Sequence, residues 1–195
     1  MTIEGQLGTL PQGVVSRVVR DATDSLAECY TRRHQALPFL SGAITLKLRV
    51  GSDGAVRYAL PIESTLGDRE TERCMVERAQ ALRFTEPCGG EAEVTFPLEL
   101  EASSDARPAT PIPASRLDAA LREHRAAVAR CTSGVQSATF RVTVYVTPEG
   151  RVAASGTSIP SPEAVSAADC ITREVNGWRL PSPGSWYART TLDLH

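Results

Sequence analysis

The stretch ITLKLRVGSDGAVRYALPI, Ile44 to Ile62, constrains this chain most, because it reads as a β-hairpin and it recurs. Ile44, Leu46, Leu48 and Val50 alternate with polar residues, Ser52-Asp53-Gly54 turns the chain, and Val56, Tyr58, Leu60 and Ile62 alternate again. Phe140, Val142, Val144 and Val146 repeat the first arm and Pro148-Glu149-Gly150 the turn; Val152 opens a weaker return arm through Ala154 and Gly156. Spacing is the stricter test of a repeat, since chance similarity rarely keeps residue type and distance together. Gly54 precedes Cys74 by 20 positions (74 − 54 = 20), and Gly150 precedes Cys170 by 20 (170 − 150 = 20). Upstream, Cys29 precedes its turn glycine by 25 (54 − 29 = 25) and Cys131 by 19 (150 − 131 = 19). The second copy therefore lacks six residues (25 − 19 = 6), which match the loop around Pro38 and Gly42.

Around each hairpin the pattern predicts helices. Residues up to about Gly8 read as a loose terminus, after which Val15, Val18, Val19, Ala22, Leu26, Cys29 and Tyr30 fall on one helical stripe. Asp68 is placed to cap a second helix, with Glu70 and Glu72 in its first turn where the helix dipole favours anions, and Cys74, Met75, Ala79 and Leu82 following. Ala92, Val94, Phe96, Leu98 and Leu100 alternate in a last strand whose Pro97 cannot donate a ladder hydrogen bond, which argues for a sheet edge. The aperiodic stretch 102–114, rich in Pro and Ala, reads as a semi-rigid linker. Beyond it Ser115 and Asp118 resemble a capping box ahead of the stripe Leu117, Leu121, His124, Val128 and Cys131. Ser161-Pro162-Glu163 opens the next helix, which carries Val165, Ala168, Ile171 and Val175 inward. Trp178 and Pro181 take the places of Phe84 and Pro87, and Ala188, Thr190, Leu192 and Leu194 close on a strand. The expectation is an α+β chain of two modules, 8–101 and 115–195, each α-β-β-α-β with both helices on one face of a three-stranded antiparallel sheet.

Modules this small bury only about 60% of their unfolded surface and gain from cross-links. Cys29 and Cys131 end first helices, while Cys74 and Cys170 lie inside second helices on the same sheet face, so each pair stands within disulfide reach. Bridging implies an oxidising compartment; the alternative is four buried free thiols. Cys88, without a counterpart, is the free thiol, either reactive or of no consequence.

Among 195 residues with a formal charge of −2 no basic stripe appears, which excludes the usual nucleic-acid binders. No run approaches the ~18 apolar residues of a membrane span. Met1-Thr2-Ile3-Glu4 lacks the basic start and apolar core of a signal peptide, so export would need a leader upstream. With three histidines, His34, His124 and His195, and no C-x-x-C or H-x-x-x-H, no metal set is expected; nor is there a nucleophile elbow, a phosphate loop or a Cys/His signature. Gly51-Ser52-Asp53-Gly54 joins two strands and is a turn, and Glu70 and Glu72 face different ways on their helix. No catalytic residues and no cofactor are expected.

The helix ending in Cys29-Tyr30, the Asp53-Gly54 hairpin, Cys74, then Phe84, Pro87, Gly89-Gly90 and Phe96-Pro97 together resemble the AgmX/PglI C-terminal family, a TonB-like domain common in gliding myxobacteria. The likeness covers Gly8 to Leu100. The second module departs from it, with Thr132 after Cys131 and Gly184-Ser185 in place of Gly89-Gly90. The resemblance implies a periplasmic cell-envelope protein, membrane-tethered in its full-length form, belonging to a motility or transport machine and pairing its last strand with a peptide of an envelope partner. Edge strands offer unpaired backbone for that purpose. The expected binding edges are Val94, Thr95, Phe96, Pro97 and Leu98 in the first module, and Thr190, Thr191 and Leu192 in the second. Two other readings stay open: a structural module that dimerises edge to edge, and a thiol enzyme using Cys88.

Overall fold

The structure, a computed structural model, describes residues 7–102, 104–135 and 139–194. Alternation makes β1 (Gly42–Val50) and β2 (Val56–Ser64) an antiparallel pair, and Gly54 turns the chain between them at φ 74°. That φ is open to glycine, and any Cβ there would run into the carbonyl oxygen of Phe84, whose N–H donates to Gly54 O (2.9 Å). Gly150 does the same between β5 (Phe140–Val146) and β6 (Val152–Thr157), with φ 77° and Leu180 N–H donating to its carbonyl (2.8 Å). The counterpart of Phe84 is therefore Leu180, and Trp178 stands where Leu82 stands; this corrects the expected match of Trp178 and Pro181 to Phe84 and Pro87.

The chain is mixed α+β, with four α-helices and two sheets among the described residues. In the first half, α1 (Gln12–His34) and α2 (Arg69–Gln80) cover one face of a sheet ordered β2-β1-β3, where β3 is Ala92–Leu100. Ile44, Leu46, Leu48 and Val50 are fully buried there against Leu26, Met75 and Phe96. Asp68 caps α2 by accepting from Thr71 N (3.1 Å), as its position before the helix dictates. Cys29 and Cys74 are bridged across the two helices with Cα atoms 5.7 Å apart. In the second half, α3 (Asp118–Thr132) and α4 (Val165–Asn176) cover β5, β6 and β7 (Ala188–Leu194), and Cys131 is bridged to Cys170 with Cα atoms 5.4 Å apart. Ser115 makes no side-chain cap, because residues Ala114–Leu117 form a 3-10 turn that delays the α-helix to Asp118.

The second sheet has four strands, order β4-β7-β5-β6, with three expected. The added strand β4 (Thr110–Pro111) comes from the stretch read as linker and runs parallel to β7. Thr110 N–H donates to Tyr187 O (2.9 Å) and Ile112 N–H to Arg189 O (3.1 Å). Pro111 lies between those donors, so its missing N–H falls on the side away from β7, where an edge strand tolerates proline.

Two irregularities in the β1–β2 register, at Thr45/Leu46 and Arg49/Val50, also depart from simple alternation. Val50 pairs with Val56, but Leu48 pairs with Ala59 and Leu46 with Pro61, so Ala59 and Pro61 join the helix-covered face. Tyr58, Leu60 and Ile62 turn outward instead and pack on the apolar cluster of the second half. Each extra residue reverses the faces of everything beyond it.

The halves also meet through the loop between α1 and β1. Leu37, Phe39 and Leu40 bury themselves with Leu66, Tyr145 and Ala154. Phe39 lies against the rings of Tyr145 (centroids 5.3 Å) and Tyr187 (4.4 Å). The Tyr145 hydroxyl donates to Ser41 O (3.0 Å) and accepts from Ser41 N (3.2 Å). Both faces of β5 are thus covered, which is why Thr143 and Tyr145 are as buried as Val142 and Val144.

Candidate edge-strand site

Among the described residues, β3 has a neighbour, β1, on one side only. Gly8 N–H donates to Glu91 O (2.7 Å), so the Glu91 carbonyl points away from β1. Backbone groups alternate sides along a strand, which turns Glu93, Thr95, Pro97 and Glu99 outward as well. Pro97 stands opposite Thr45 in the register, and the N–H it lacks is one of the outward set. Of the residues expected to form this edge, Thr95 and Pro97 present their backbone to a partner, whereas Val94, Phe96 and Leu98 spend theirs on β1 and their side chains on the core. A groove of about 360 Å³ runs beside the edge, between Leu10, Gln12 and Val15 on one side and Glu93, Val94 and Thr95 on the other.

β7 is not the free edge expected. β4 covers Ala188 and Arg189. The outward carbonyls of Tyr187 and Arg189 set the same alternation, so Thr191 and Asp193 remain outward and open, while Thr190 and Leu192 bond to β5. Arg107 and Trp186 seat the covering strand: Trp186 Nε1 donates to Pro108 O (3.0 Å), and the Arg107 guanidinium lies 4.9 Å from the indole centroid. A groove of about 270 Å³ flanks the open end, lined by Leu121, Arg122, Arg125 and Val128 against Asp193 and Leu194.

The capping of both strand starts was missed, although a signal existed. Leu10-Pro11 precedes Cys29 as Ile112-Pro113 precedes Cys131, each by 19 positions (29 − 10 = 19; 131 − 112 = 19). In each half the leading segment lends an N–H, from Gly8 or Thr110, to the outward carbonyl of the residue just before the last strand, Glu91 or Tyr187. Gly8 and Thr9 are thereby held, not loose.

Cys88 is exposed and unbridged; its N–H and carbonyl exchange hydrogen bonds with Thr9 (3.0 and 2.9 Å). His124 is half-buried and stacks on Trp178 (centroids 4.9 Å), and His34 packs beside Tyr30 (5.3 Å). His195 lies outside the described residues. Among the described residues no group of three or more His, Cys, Asp or Glu is placed to hold a metal ion, and no helix is long and apolar enough to cross a membrane.

The strongest electrostatics lie where the halves join. Glu72, read from sequence as a first-turn anion, is completely buried. Ser64 Oγ donates to its Oε1 (2.6 Å), Thr157 N–H of β6 donates to its Oε2 (3.1 Å), and Arg69 Nη1 lies 3.7 Å away. Burial outweighs these partners and pushes the carboxyl up to about 7. Next to it, Arg69 and Arg73 both hold Asp169 of α4 (2.8 Å each). Burial pushes Asp169 up, but the hydrogen bonds and charges of the two arginines bring it below the usual carboxylate range. No family model, curated protein or solved structure gives a match to this chain.

Proposed function

We propose that this chain is a pair of tandem TonB-like modules whose task is to bind an extended peptide of a cell-envelope partner by strand addition to β3, without catalysis. The observation that carries the reading is the run of outward backbone groups at Glu93, Thr95 and Glu99, unpaired among the described residues and flanked by a groove of mixed polarity to which Leu10, Val15 and Val94 contribute apolar surface. An incoming strand gains main-chain hydrogen bonds from β3, and its alternate side chains reach Leu10 and Val15. Two disulfides fit an exported location, in keeping with a periplasmic role.

The test uses peptides selected by display against the intact chain and mapped by amide chemical shifts. Perturbations should centre on 93–99. Thr95→Pro should weaken binding at least tenfold while moving the melting temperature little, because the N–H it removes serves nothing inside the fold. Selected peptides that bind the Thr95→Pro chain equally well overturn the assignment.

A further inference from the structure

The junction between the halves is built around a carboxyl that the edge-strand reading does not use. Glu72 sits where α2, β2 and β6 converge, and its two oxygens join Ser64 of the first half to Thr157 N–H of the second. The approach is so close that a Cβ on Gly156 would collide with Glu72 Oε1 and with Asp68 N. Alongside, Ile159 N–H donates to Pro61 O (2.8 Å). These two bonds engage one outward backbone group on each of two strands that end their own sheets, Pro61 O of β2 and Thr157 N–H of β6.

We infer that docking of the two halves is proton-coupled: the junction takes up a proton on Glu72 as it closes, and in closing it engages Pro61 O of β2 and Thr157 N–H of β6. Every charged neighbour of the carboxyl is accounted for. On α2 stand Arg69 and Arg73, the latter held by Asp169 (2.8 Å), and Asp68 at the N-cap is engaged by Arg33 of α1 (2.8 Å). β2 contributes the neutral Ser64, and β6 contributes backbone at Gly156 and Thr157. α4 contributes Asp169, which takes up the guanidinium of Arg69 and leaves it 3.7 Å from Glu72. The nearest cation is thus shared between two carboxylates, and no histidine or lysine completes the set.

The sign follows from linkage. In separated halves the Glu72 carboxyl is in water and titrates near 4.5, against about 7 when docked. The docked form therefore binds more protons across that window, and docking weakens as pH rises through it. Asp169 acts oppositely, since its charged form is favoured by docking and its contribution is lost as pH falls through its lowered pKa. The junction is tightest in mild acid. Opening it releases these two backbone groups, each on a strand that ends its sheet.

Native-state hydrogen exchange at the Thr157 and Ile159 amides, corrected for intrinsic rates, reads the opening equilibrium directly. With the two titration points above, that equilibrium should rise about 70-fold between pH 5 and pH 8, towards a limit of about 300-fold. In Glu72→Gln the slope should vanish. A flat profile in the wild type, or the same slope in Glu72→Gln, overturns the inference. Should that variant fail to fold, ¹³C titration of the Glu72 carboxyl in the wild type decides: a midpoint near 7 supports proton coupling and one near 4.5 refutes it. Neither readout involves peptide binding at β3.

Discussion

Replacing Cys29 and Cys74 together with alanine removes a cross-link between residues 45 apart in sequence, one of them at the centre of the first core. In the chain-entropy description, closing a loop of that size takes roughly 13 cal/mol/K from the unfolded chain, or about 4 kcal/mol at 25 °C. Cys29 is only 2% exposed, so loss of its sulfur adds a packing term of about 1 kcal/mol. For a chain of this size 1 kcal/mol moves the melting temperature by about 2–4 °C, which predicts a fall of about 10–20 °C in calorimetry. The Cys131–Cys170 bridge spans 39 residues and should give a similar entropic term; both of its cysteines are half-buried, whereas only Cys74 is in the first bridge, so it offers a reductant two points of attack against one and should be reduced first. Timed alkylation and mass spectrometry under mild reductant read that order, since exchange requires access to a sulfur. A fall under about 3 °C for the double alanine variant would refute the stabilising role. Earlier loss of Cys29–Cys74 would refute the argument from burial.

Phe39→Ala should destabilise by about 3–5 kcal/mol, because the ring is 3% exposed and fills the space between Tyr145 and Tyr187; denaturant unfolding checks this, and it tests whether the loop between α1 and β1 holds the halves together. Asp169→Asn should destabilise at pH 6, with the difference from wild type shrinking as pH falls below about 3.8. The arginine-held carboxylate contributes above its unfolded value and loses that contribution on protonation. Acid unfolding curves of the two proteins measure it, and a difference that stays constant with pH would show that charge is not the cause.

The sequence alone determined whatever depends on short-range pattern. The duplicated hairpins, the turn glycines, the Asp68 cap and the pairing of Cys29 with Cys74 and Cys131 with Cys170 all follow from periodicity and from spacings within one half, where helix and strand geometry leave little choice. The tertiary structure decided what happens where separately patterned pieces meet. Tyr58 and Leu60 share an alternation with Val56, yet register irregularities in β2 send them to the opposite face, because the second half offers them an apolar surface there. Tyr145 occupies a position whose phase reads as polar and solvated, and it is buried because the Leu37–Leu40 loop folds over it. Thr110 and Ile112 carry no strand periodicity and become an edge through what the start of β7 leaves unpaired. Glu70 and Glu72 look alike in sequence, two anions in one helical turn, but one is exposed and the other fully buried. What separates them is the face of α2 that the other half covers, a matter of how two bodies pack, and no local pattern in the chain encodes it.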